Sequence, residues 1–178
     1  MPDTVVDLAA GDIFKACVRI ETDDTGRGRI RISAVVWRNL CLNLIIIGQG
    51  EVETVNQVHR GDPDRILGVV ADGVSHARDR VGHFLDAWGH ARSVKVDARQ
   101  LLREMVEERR LRLPGVRSAQ ARDQVVEALL AAWDKEPGDT LADTANALTR
   151  AAHENSDWPI DLAEELERYA SKLVMVPA

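Results

Sequence analysis

"PDRILGVVADGVSHARDRVGHFLDAWGHAR", residues 63–92, is the stretch on which the architecture turns. Pro63 suits a first helical turn, where its missing N–H has no helical partner and its φ is preset. Asp62 or Asp64 would complement the positive end of a helix beginning there. Carried to about Arg92, such a helix spans roughly 28 residues, about 42 Å at 1.5 Å per residue. Within it, "DGVSHARDRVGHFLDAWGHAR" is three heptads, each opening on Asp with His four residues later: Asp72/His76, Asp79/His83 and Asp86/His90.

A helical wheel separates that polar stripe from an apolar one. With Asp72 at zero and about 100° per residue, His76 falls at about 40°. Val74, Val81 and Trp88 fall between about 160° and 200°, Ala77, Phe84 and Ala91 between about 100° and 140°, and Leu85 at about 220°. Ser75, Gly82 and Gly89 lie at the border, where small side chains permit close approach by another backbone. The Asp/His stripe therefore reads as the wet side, its i,i+4 pairs worth about 0.2–0.5 kcal/mol each. A closed zinc site needs four ligands, and no second cluster supplies the missing ones, so no metal is expected.

Upstream, "IFKACVRIE" (13–21) alternates with period two, as a half-buried strand does. "TDDTGRG" is rich in turn formers, and "RIRIS" alternates again, so the pair reads as a hairpin with a longer loop. Ser33 can cap a helix through "AVVWRNLCLNLI", where Val36, Leu40 and Leu44 recur at helical spacing; a buried strand competes, since the stretch is almost wholly apolar. "EVETVNQVH" reads as another strand pairing with the hairpin. Downstream of "SVKV", helices are expected over about 97–111, 118–134, 140–153 and 160–174. "LPGVRS", "KEPGD" and "NSDWPID" separate them and supply the caps Ser118, Asp139 and Asp161. The expected class is α+β: a small antiparallel sheet of about three strands packed on one long helix, followed by a helical C-terminal half. The division falls at residues 1–96 and 97–178, which could equally form one continuous domain.

Composition bounds the functions available. Hydrophobic residues make up 45% and charged residues 29%, as in an ordinary globular protein. No apolar run, neither "LIII" nor the six-residue "ALLAAW", is long enough to cross a bilayer, and "MPDTVVDLAAGD" has neither the charge nor the apolar core of a signal peptide. Cys17 and Cys41 form no CxxC or zinc pattern, so a cytoplasmic protein with reduced thiols is the simplest expectation. The net charge of −6 weighs against broad charge-driven binding to nucleic acid. Residues 1–96 carry 13 acidic and 12 basic side chains, against 16 and 11 in the remainder, so the second part is the acidic one. No P-loop, GxGxxG, HExxH or GxSxG motif is present, and no cofactor is expected. Aromatic residues, at 4%, supply a base-stacking platform poorly.

The stretch "RNLCLNLIIIGQGEVETVNQVHRGD" (38–62) presents R-x-x-C-x-N, an apolar segment and a strand leading into H-R-G-D and the long helix. Through Arg38, Cys41, Asn43, His59, Arg60, Gly61 and Asp62 it resembles the plasmid- and prophage-borne family known as domain of unknown function 932. "TANALTRAAH" is similar to that family's N-A-x-T segment through Asn146, Ala147 and Thr149. Leu44 stands where the family usually has Gly or Thr, and the family's N-terminal segment is not visible, so the chain reads as shortened. The resemblance implies a mobile-element context and no particular reaction.

Cys41 and His59, with Asn43 orienting the histidine, form the one combination suggesting thiolate catalysis. A nucleophilic cysteine needs exposure and a depressed pKa, whereas the flanking Leu and Ile predict burial. Arg38, Asn43 and His59 fit better as side chains that satisfy backbone groups at an irregular junction. His59-Arg60-Gly61-Asp62 before a helix could hold a phosphate, with Asp62 as the cap. The leading expectation is a non-enzymatic phage or plasmid accessory protein that binds DNA in replication, recombination or transfer and forms a homo-oligomer. Arg27, Arg29, Arg31, His59 and Arg60 would contact phosphate. The alternatives are an acidic helical module that docks a host or element-encoded protein, and, more weakly, a Cys/His enzyme.

Overall fold

The computed structural model describes the chain continuously over residues 63–175, with side-chain surroundings given from Val81 onward and at seven earlier positions of the first helix. Before that it describes backbone alone, over residues 5–7, 13–21, 29–38, 43–47 and 57–58. Five helices follow one another: α1 (Pro63–Ala91), α2 (Ala98–Glu107), α3 (Ala119–Lys135), α4 (Leu141–Glu154) and α5 (Ile160–Met175).

The α+β class expected from the sequence is corrected. The body whose packing is described is 74% helix, in five helices and with no strand. Its core is helix on helix. Val81, Phe84, Leu85, Trp88 and Ala91 of α1 join Leu102 and Met105 of α2, Leu129 of α3, Leu148 of α4 and Leu166 of α5 in one buried cluster. From Val81 to Ala91 the apolar stripe of the long helix is thus buried in a cluster built from all five helices. Burying a side chain such as Leu148 or Leu166 contributes about 1.5–3 kcal/mol.

Upstream of this body the backbone is extended over β1 (Val5–Asp7), β2 (Ile13–Glu21), β3 (Arg29–Arg38), β4 (Asn43–Ile47) and β5 (Gln57–Val58). The pairing is antiparallel in the order β1-β2-β3-β4, with β5 on β3. In the backbone, β3 runs beside α1, and β4 beside α4 and α5. Of the two readings of residues 34–45, helix and strand, the backbone takes the strand over the described part, the end of β3 and the start of β4. Val35, Val36, Trp37 and the run Ile45–Ile47 are β-branched or aromatic, and these favour the pleated conformation over the helical spacing of Val36, Leu40 and Leu44.

Local chemistry sets the helix ends. Asp97 caps α2, accepting from the Gln100 N–H at 3.0 Å, and Ser118 caps α3, accepting from the Ala121 N–H at 3.0 Å. For α4 the expected cap, Asp139, is corrected to Thr140. The Thr140 hydroxyl accepts from the Asp143 N–H, and the Asp143 carboxylate accepts in return from the Thr140 N–H at 3.0 Å, a closed capping box. Asp139 is engaged elsewhere: Lys95 donates to its carboxylate at 2.5 Å, which holds that carboxyl below its ordinary range. Its carbonyl accepts from the Val96 N–H at 2.8 Å, and Val94's from the Leu141 N–H at 2.9 Å, so residues 94–96 lie antiparallel to 139–141. Asp161 likewise is a first-turn residue of α5 rather than its cap; the Pro159 carbonyl accepts from the Leu162 and Ala163 N–H groups.

Helix α4 is the axis of the body, with ten of its 14 residues buried. Ala142, Ala145, Ala147, Ala151 and Ala152 allow neighbours to approach it closely. Its buried hydroxyls bond within the helix, Thr144 to the Thr140 carbonyl at 3.2 Å and Thr149 to the Asn146 carbonyl at 3.0 Å.

The opposite face of α1 is open. Asp72, Asp79, His83, Asp86 and His90 are exposed, and a Cβ built on Gly82 or Gly89 would meet nothing within 4 Å. Among the described residues, no backbone uses the space that these glycines leave. Exposed helical glycine costs up to about 1 kcal/mol relative to alanine. Gly82→Ala and Gly89→Ala should therefore each raise stability by about that much, additively given their two-turn separation. Urea denaturation of the two single variants and the double variant checks this, and any loss of stability would show that something covers the face.

Candidate anion-binding site

Between α2 and α3 the chain reads "RRLRLPGVRSAQAR", residues 109–122, five arginines with no acidic residue among them. The segment starts from an unusual backbone. Arg109, just beyond the end of α2, has φ 58°, while the Leu111 N–H reaches back to the Met105 carbonyl at 2.9 Å. Glycine is the usual occupant of that left-handed position, and a residue with a Cβ costs about 1–2 kcal/mol there. Leu111 is buried and anchors the loop, and Leu113 and Val116 pack partly against the core. Gly115, at φ 79°, then turns the chain where it meets Pro159; a Cβ on it would lie 3.5 Å from the proline ring.

The outcome is a recess of about 260 Å³ lined by Arg109, Arg110, Arg112 and Arg122 above Val106, Leu111, Leu113 and Val116. Arg110 is held by Glu108, with its Nε 2.8 Å from the carboxylate. Among the described residues, no carboxylate pairs with Arg109, Arg112, Arg117 or Arg122. Elsewhere on the body Arg99 pairs with Asp134, Lys135 with Glu154, Arg150 with Glu136, and Arg168 with Glu164 and Glu165, while among the described residues Arg103 and Lys172 pair with no carboxylate. Close by, half-burial raises the Tyr169 hydroxyl's pKa, and the positive charge of Arg110 partly offsets that rise. Guanidinium groups present planar forks of donors that match phosphate oxygens.

No protein-family model, curated protein or solved structure matches this chain.

The residues singled out from the sequence fall elsewhere. Arg29 and Arg31 lie in β3, opposite Val58 and Glu21 in backbone register, while Arg27, His59 and Arg60 lie outside the described residues. Arg38 and Asn43 are brought opposite one another across β3 and β4. Cys41, Gly61 and Asp62 lie outside the described residues, so the thiolate pairing of Cys41 with His59 has no geometry to report. Asn146 and Thr149 are buried on α4, where Thr149 bonds to the Asn146 carbonyl. Among the described residues no group of three or more His, Cys, Asp or Glu side chains could hold a metal, and no helix is long and apolar enough to cross a membrane. The arginine loop is the feature that sequence reading missed. Its signal, five cations between Arg109 and Arg122, disappears when charge is summed over the whole acidic half.

Proposed function

We propose that this chain is a non-enzymatic, nucleic-acid-binding accessory protein of a mobile element, which grips phosphate through arginines and works as a homo-oligomer. The observation that carries the reading is the arginine loop at 109–122, left without carboxylate partners save at Arg110 in a chain of net charge −6. An acidic protein gains nothing in solubility from such a cluster, whereas a polyanion is attracted to it. The mobile-element context rests on the resemblance of residues 38–62. On this reading Arg27, Arg29, Arg31, His59 and Arg60 add further phosphate contacts.

Mobility shifts with single- and double-stranded DNA at several salt concentrations test the proposal. Each phosphate that a cation neutralises adds about one unit to the salt slope. Arg112→Ala with Arg122→Ala should therefore weaken binding and flatten the slope by about two. No affinity of the unmutated protein for either DNA at low salt would end the proposal.

A second reading, a module that docks a protein partner, draws on the exposed Asp72, Asp79 and Asp86 and on Ile160, which is 75% exposed at the start of α5. Under it, reversing the three aspartates to lysine abolishes partner capture and leaves the salt slope of DNA binding unchanged.

A further inference from the structure

We infer that the recess between α2 and α3 receives one phosphomonoester group, such as the terminal phosphate of a nucleic-acid strand or the phosphate of a mononucleotide; the first of these rests on the nucleic-acid reading above.

Shape is the first reason. Duplex DNA offers a row of single charges, roughly one per 3.4 Å of axis on each strand, and a strip of cations would follow it. Here four arginines line one hollow of about 260 Å³. Sites that enclose a whole drug-sized ligand run from roughly 300 to 1,000 Å³. The smaller hollow has room for a single phosphoryl group and part of whatever carries it.

Charge is the second. Arg109, Arg112 and Arg122 bring three uncompensated positive charges to the hollow, while Arg110 is largely neutralised by Glu108. An internal phosphodiester carries one negative charge, whereas a phosphomonoester carries about −1.5 to −2 at pH 7. The dianion is the better match. All five cations of the loop are arginine and none is lysine, which favours the planar fork over a point charge. Leu113 and Val116, partly exposed in the recess, leave apolar surface for a sugar or base edge rather than a second anion.

Backbone strain is the third. The left-handed position at 109 favours glycine, and an arginine stands there lining the recess. A strained backbone that persists beside a pocket is typical of a side chain retained for binding. Arg109→Gly therefore separates fold from function, because it relaxes the backbone while removing the guanidinium.

The test uses the full chain and fluorescence anisotropy. Two strands of one sequence carry a 5′-phosphate or a 5′-hydroxyl; inorganic phosphate, deoxyadenosine monophosphate and an oligoglutamate peptide serve as competitors. The phosphorylated strand should bind about tenfold more tightly, the factor that one charge-assisted hydrogen bond supplies. Deoxyadenosine monophosphate should compete and oligoglutamate should not. Arg109→Gly should erase the preference without lowering the melting temperature, and Arg112→Lys, which keeps the charge and loses the fork, should erase it too. Equal binding of the two strands, or competition by oligoglutamate as strong as by the nucleotide, overturns the inference and leaves DNA binding standing. If neither strand binds but the nucleotide does, with Arg109→Gly abolishing it, the nucleic-acid reading falls and the phosphomonoester site stands.

Discussion

Replacing Phe84 with alanine should destabilise the protein by about 3–5 kcal/mol, the usual cost of emptying an aromatic site in a packed core. Phe84 is 0% exposed, and its ring centroid lies 5.8 Å from that of Trp88, itself 1% exposed. The two rings occupy successive turns of α1 and join a cluster fed by every other helix, so little can collapse into the space. Domains of this size are stable by only about 5–15 kcal/mol, so the loss is a large share of the whole. Leu67→Ala is the control on the same helix. That side chain is 64% exposed, and its removal should stay within about 0.5 kcal/mol. Urea unfolding followed by tryptophan fluorescence and by far-UV circular dichroism should show coincident shifts for Phe84→Ala. Equal, small effects of the two substitutions would mean that the end of α1 is not part of the helical body.

That helix is legible in the sequence because its signals are local and periodic. Pro63 marks the start, the heptads separate Phe84 and Trp88 from Asp79 and Asp86, and exposure follows the wheel. Ser118 is legible for the same reason: a hydroxyl three residues before a free N–H needs no distant partner. Asp139 misleads because its environment is made by Lys95, far earlier in the chain, while Thr140 gains a reciprocal partner in Asp143. Both residue types cap helices well, and only the folded neighbourhood separates them. Residues 34–47 are ambiguous because an almost wholly apolar run has no period to read. The class itself misleads because the apolar stripe of α1 from Val81 to Ala91 is buried among the other helices, a tertiary choice that amphipathicity does not specify. The arginine recess is invisible for a related reason: it exists because the loop folds back, Leu111 into the core and Gly115 against Pro159.

Gly138 and Asp143 should behave as one unit. Alanine at 138 is expected to cost about 1–2 kcal/mol, although the backbone there needs no positive φ, because the new methyl would run into the Asp143 carboxylate. A flexible side chain could swing away, but this one is tied down by the Thr140 N–H and hydroxyl. Nor can the backbone retreat: the Gly138 carbonyl accepts from Trp133 Nε1 at 3.0 Å, and residues 139–141 are paired with 94–96. The carboxylate must therefore leave, and the Thr140 N–H loses its acceptor at the mouth of a helix whose first two residues are buried. Asp143→Ala removes the same bonds directly and should cost a similar amount. It also removes the obstacle, so Gly138→Ala should be nearly neutral once residue 143 is alanine. The double-mutant cycle then returns a coupling of about 1 kcal/mol or more, well above the additivity expected of independent sites. Strictly additive losses in thermal or urea unfolding would falsify this arrangement, since the clash and the cap would then be separate defects.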